Sequence, residues 1–129
     1  MKLITLLMLM MTSAFAHELE FANYLKLQKA LAGDDYNAAL SAHKTICEDE
    51  LGHYTANYKD CGKEFKGIEE LRNSFKELSQ LFIGNGKNKE LDQLQIMSCS
   101  MAKAKWVQEK GEISNPYYGM KMLSCGEKM

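Results

Sequence analysis

The 129-residue chain carries 16 Lys and Arg against 17 Asp and Glu, a formal net charge of −1, and is 46% apolar. That length bounds it to one small domain, and the near balance of charge leaves no electrostatic case for a nucleic acid or an anionic membrane surface as partner. Residues 1–16 have the organisation of a secretory signal peptide. Lys2 is a short positive start, Leu3 to Met11 is an apolar run with one Thr, and Ser13-Ala14-Phe15-Ala16 ends in an A-x-A pattern that places the mature start at His17. The apolar run is too short to span a bilayer. The mature chain is therefore expected in the periplasm or outside the cell.

Glu18 to Ala32 reads as a helix, with Phe21, Leu25, Gln28 and Ala32 on one face and Gly33 as its stop. Asp34 or Asp35 caps a second helix that carries Ala38, Ala39, Ala42 and Ile46 and runs to about Leu51. Gly52 to Gly67 is less regular, with room for a short helix from His53 to Tyr58. The clearest periodicity lies in Ile68 to Ile83, where Ile68, Leu71, Phe75, Leu78 and Phe82 recur at alternating three- and four-residue steps. Asn88 to Ile96 fits either a helical turn or an extended piece. From Met97 onward periodicity fades into an irregular segment around Trp106, Tyr117 and Tyr118. The expected fold is all-α: one domain, 17–129, built as a small antiparallel bundle of three to four helices with the aromatic-rich C-terminal segment packed on it.

The cysteines are Cys47, Cys61, Cys99 and Cys125. An even count in an exported chain suggests disulfides, with three possible connectivities, of which Cys47–Cys61 with Cys99–Cys125 is the simplest. Methionine is distributed unevenly. After the leader it occurs at Met97, Met101, Met120, Met122 and Met129, and nowhere between His17 and Ile96. Methionine used as core filler has no reason to avoid the helices. Thioethers and thiolates select soft ions, Cu(I) above all. Met97-x-Cys99-x-Met101 and Met120-x-Met122-x-x-Cys125 are two local sulfur clusters that could supply three or four ligands together. The competing reading is a Cys99–Cys125 disulfide that pins the tail, with the methionines packed around it.

His17, as the mature N-terminus, could chelate Cu(II) through its amine and imidazole, although any residue can follow a cleavage site. His43 and His53 read as surface or satisfied structural histidines, and Cys47-x5-His53-x7-Cys61 matches no tight metal spacing. The sequence has no G-x-S-x-G, no H-E-x-x-H and no Gly-rich phosphate loop, and capping accounts for Asp34-Asp35, so no enzyme is expected.

Three stretches resemble one family. Tyr24-Leu-Lys-Leu-Gln-Lys-Ala-Leu-Ala-Gly-Asp-Asp35 is similar to the opening, and Glu70-Leu-Arg-Asn-Ser-Phe-Lys-Glu-Leu-Ser79 to the "R-x-x-F-x-x-L-S" helix, of the group called domain of unknown function 3347. Cys99-Ser-Met-Ala102, Trp106, Asn115-Pro-Tyr-Tyr-Gly119 and Met122-Leu-Ser-Cys-Gly126 resemble its ending, with Ser100 standing where the family has Pro. The resemblance implies a helical, secreted or periplasmic protein of a kind found alone or joined to periplasmic adaptor subunits of copper/silver-type efflux pumps. Carried over by position, it implies Cys99, Met101, Met122 and Cys125 as ligands. Cys47 and Cys61 belong to none of its motifs.

The resulting expectation is an exported protein that binds a soft metal, foremost Cu(I), through Cys99, Met101, Met122 and Cys125, with Met97, Met120 and His17 as weaker candidates. It would buffer the metal or pass it to an efflux adaptor or metallochaperone. The alternative is a disulfide-stapled periplasmic interaction module without metal.

Overall fold

The structure, a computed structural model, describes residues 18–129. The signal-peptide reading and His17 lie outside the described residues. Helix α1 (Ala22–Ala32) starts where the Glu90 carboxylate accepts the Phe21 N–H at 3.3 Å, so a distant segment satisfies one of its orphan donors. Helix α2 (Tyr36–Thr45) is capped as expected by Asp35, whose Oδ1 accepts the Ala38 N–H at 3.1 Å. It runs on into a π-helical turn, Ile46–Glu50, and then a 3-10 turn, Gly52–Ala56. A disulfide joins Cys47 in the π-helical turn to Cys61.

Helix α3 (Ile68–Asn85) buries the expected stripe of Leu71, Phe75, Leu78 and Phe82. The stripe meets α1 through aromatic rings: Tyr24 lies 5.0 Å from Phe75 and 4.9 Å from Phe82, centroid to centroid.

The C-terminal third overturns the all-α expectation. After a single helical turn, α4 (Asn88–Leu91), the chain forms β1 (Leu94–Cys99), which pairs antiparallel with β2 (Ala104–Glu109). The last residues form β3 (Glu127–Lys128) on the other edge of β1, giving the order β2-β1-β3. The fold is mixed: helices packed on a three-stranded antiparallel sheet, not a helical bundle with an irregular tail. Two features hide the sheet from sequence patterning. Trp106, Val107 and Gln108 are buried in succession because helices and the C-terminal segment both pack on β2, and the two-residue alternation is lost. At its fully buried positions β1 carries Met97 and Cys99, neither from the residue types that favour strands.

Side chains close the outer edge of β2. Tyr24 Oη accepts the Val107 N–H at 3.0 Å and Tyr117 Oη donates to the Lys105 carbonyl at 2.5 Å. Both hydroxyls also meet Ser79 Oγ, at 2.7 and 3.3 Å. Backbone groups that would otherwise be unpaired at a buried edge are thereby satisfied from α1 and the C-terminal segment, and Ser79 of α3 ties the two hydroxyls together.

Arg72 joins the same three parts. It is 5% exposed. Its Nε donates to Pro116 O at 2.9 Å, and its Nη2 to Leu31 O at 2.7 Å and Asp34 Oδ1 at 2.6 Å. Nη1 reaches Glu69 Oε1 at 2.8 Å. A planar guanidinium with donors in a fixed fork suits this convergence, whereas an ammonium does not.

Candidate functional site

The C-terminal segment turns on Asn115, which is fully buried. Its Oδ1 accepts the N–H groups of Tyr117 at 2.8 Å and Tyr118 at 3.2 Å, a side-chain turn of the type Asn forms ahead of Pro. Its Nδ2 donates to Cys125 O at 2.6 Å, and its own N–H donates to Leu123 O at 2.9 Å. One residue thus fixes both the start of the loop and the cysteine at its end. Gly119, at φ 60°, lets the loop lie against Arg72 and Asp34, because a Cβ there would collide with both side chains. Gly126, at φ 153°, does the same against the Trp106 ring.

Cys99 ends β1, where the chain turns through Ser100–Lys103 into β2. Its side chain is buried, and the Ala102 N–H donates to its Sγ at 3.4 Å. Cys125, half-buried, brings its Sγ to 3.5 Å from that of Cys99. These two thiols are free, while Cys47 and Cys61 are bonded. Burial opposes a charged Cys99, yet hydrogen bonds from the Ala102 N–H, the Cys125 thiol, the Asn115 amide and the Met101 N–H outweigh it and hold Cys99 below the usual thiol range. Cys125 is pushed up, first because its proton serves the bond to Cys99, then by desolvation and by the charge on Cys99. The pair behaves as one acidic thiol backed by one donor thiol.

The methionines divide. Met97 is 2% exposed and shares a face of β1 with Cys99, opposite Trp106, so it belongs to the core. Met101 lies in the turn after Cys99. Met120 and Met122 lie in a 3-10 turn, Gly119–Met122, and the Cys125 N–H donates to Met122 O at 3.1 Å. Among the described residues the exposed large apolar side chains are Met101, Met120, Met122 and Met129. These four are therefore not gap fillers.

The fold thus brings the two sulfur clusters of the sequence together at their cysteines and leaves thioethers on the two adjoining turns. Sulfurs 3.5 Å apart can both reach an ion at about 2.3 Å with a sulfur–metal–sulfur angle of about 100°. That bent angle leaves room for further donors. Among the described residues no three His, Cys, Asp or Glu side chains gather as a ligand set.

Sequence reasoning missed the residues that hold the site. Asn115 before Pro116 carried a turn signal, but its grip on Cys125 depends on a fold the spacing does not disclose. Arg72 stood in the R-x-x-F-x-x-L-S stretch, where nothing in the sequence assigned it partners. The three stretches that carry the family resemblance do meet in space: Asp34 with Arg72 and Gly119, and Tyr24 with Ser79 and Tyr117. No family model, no curated protein and no solved structure matches the chain, so the resemblance rests on those motifs alone.

Proposed function

We propose that this is an exported soft-metal-binding protein that holds one Cu(I) between Cys99 and Cys125, with Met101 and Met122 as thioether donors. The observation that carries the reading is the 3.5 Å approach of two free thiols, one buried and hydrogen-bonded as a thiolate would be, on a chain whose other cysteines are paired. The exposed methionines on the adjoining turns support it, since a surface thioether is a soft ligand within reach of solvent-borne metal. Their exposure also suits handover, because a partner can replace a surface donor without opening the core. The role that follows is buffering of the ion or its delivery to a metallochaperone or an efflux adaptor in the periplasm.

Anaerobic Cu(I) titration against a chromogenic chelator tests this. One ion per chain is expected, lost in Cys99→Ser/Cys125→Ser. If the wild-type chain fails to compete in either redox state, the disulfide-stapled interaction module takes its place.

A further inference from the structure

A cavity lined by the two bridged cysteines lies on the helical side of the molecule. It encloses ≈ 530 Å³ and is lined by, among others, Cys47, Cys61, His43, Lys44, Lys63 and Glu48. Both bridged cysteines are half-buried, so the disulfide faces this open space. Cys47 lies in the π-helical turn Ile46–Glu50, a distortion that often accompanies functional positions.

Hydrogen-bond accounting fixes the chemistry beside it. Ser74 has one hydroxyl hydrogen, and it goes to Asp60 Oδ2 at 2.7 Å, since a carboxylate only accepts. The short bond between Tyr58 Oη and Ser74 Oγ must then use the Tyr58 hydrogen. The Tyr58 oxygen is left to accept from His43 Nε2 at 2.7 Å, which places the imidazole proton on Nε2. That same nitrogen lies 3.9 Å from Cys47 Sγ. His43 is 6% exposed, and burial lowers its pKa while the Asp60 charge opposes that shift, so the ring serves as a neutral donor.

We propose that Cys47–Cys61 is an exchangeable disulfide whose substrate is an anionic low-molecular-weight thiol. The incoming thiolate attacks Cys61 Sγ and forms a mixed disulfide there. The Cys47–Cys61 bond breaks, and its electron pair leaves on Cys47 Sγ, which as a thiolate competes with Tyr58 Oη for the His43 Nε2–H it already lies beside. The attacking sulfur is oxidised as Cys47 is reduced, so no further oxidant enters. Stabilising the leaving thiolate speeds this step and selects Cys61 as the point of attack. Among the residues lining the cavity, Lys44 and Lys63 outnumber the one carboxylate, Glu48, whose pairing with Lys44 at 3.9 Å is exposed and weak.

The test uses the mature chain with Cys99→Ser and Cys125→Ser, which leaves Cys47–Cys61 as its sulfur pair, treated with glutathione or with uncharged mercaptoethanol. Mass spectrometry maps the mixed disulfide. The adduct is expected on Cys61, formed at least about tenfold faster by the folded chain than by the same chain in denaturant. Lys44→Glu/Lys63→Glu should slow glutathione about threefold to tenfold and leave mercaptoethanol unchanged. His43→Gln should slow both thiols about tenfold. An adduct shared equally between the two cysteines, or a folded chain slower than the unfolded one, overturns the proposal. If His43→Gln loses its circular dichroism signal, the lysine variants and the mapping still decide.

Discussion

Asn115 Nδ2 donates to Cys125 O at 2.6 Å, so the residue that folds the C-terminal turn also sets the position of the thiol facing Cys99. Asn115→Asp keeps the acceptor that holds Tyr117 and Tyr118 and removes the donor to Cys125, whereas Asn115→Ala removes both. Leaving buried amide and carbonyl groups unpaired costs about 1–3 kcal/mol each, and Asn115→Asp also sets a buried carboxylate oxygen against Cys125 O, so both variants are expected to unfold at lower urea. Both variants should weaken Cu(I) binding. An Asn115→Ala chain with unchanged unfolding midpoint and metal affinity would refute this placement.

Two glycines give opposite outcomes. Gly119→Ala forces a Cβ into the Asp34 carboxylate and the Arg72 guanidinium from a left-handed backbone, and is expected to destabilise by about 2 kcal/mol or more. Gly84 lies near the end of α3 with nothing close to its added Cβ, so Gly84→Ala should be neutral or stabilise by up to about 1 kcal/mol. Denaturant midpoints for the two variants decide whether the loop seat against Arg72 is as tight as described.

Acid should destabilise the protein in two stages. His43 is held below its ordinary pKa mainly by burial, so the folded state prefers it neutral. That contribution is complete above the unfolded value of about 6.5 and is lost as pH falls through the folded one. Asp34 is held below the ordinary carboxylate range, first by its hydrogen bond from Arg72. Its contribution is complete above about pH 4 and is lost at lower pH. His43→Gln should remove the first stage, and Asp34→Asn the second, from a plot of unfolding free energy against pH. A single stage that neither variant alters would contradict the assignment.

The reduced Cys99–Cys125 pair should release its protons in two separated steps. The first is expected below the ordinary thiol value of about 8.5 and the second above it. Thiolate absorbance in a Cys47→Ser/Cys61→Ser background reads both steps. Adding Cys125→Ser should leave one ionisation, with the buried Cys99 still served by the Ala102 N–H. Two superimposed ionisations at the ordinary value would exclude the donor–acceptor arrangement.

The legible part of this fold was its local part. Gly33, the Asp35 cap and the Phe75–Phe82 stripe report on their own turns, and α2 and α3 begin within a residue or two of the sequence reading. The sheet was not legible, because β1 draws its buried positions from Met97 and Cys99 and β2 is covered by other elements around Trp106. The Cys47–Cys61 bridge is half of the sequential pairing that the even cysteine count suggested. For the site, the sulfur-rich composition was visible, and the sequence left open whether Cys99 and Cys125 are bonded to each other or free; they are free, with their sulfurs 3.5 Å apart. Arg72, Ser79 and Asn115 stood in the resembling stretches, but their roles as supports were not legible, since Arg72 and Ser79 act through partners 38 or more positions away and Asn115 through a turn that closes on Cys125.

The most direct measurement is the number of Cu(I) ions held per chain when a chromogenic chelator competes, with Cys47–Cys61 replaced by serines so that Cys99 and Cys125 are the thiols present. The account predicts one ion, about tenfold weaker binding on Met101→Leu or Met122→Leu, and none in the variant that also lacks Cys99 and Cys125. Equal retention of copper with and without Cys99 and Cys125 would contradict it.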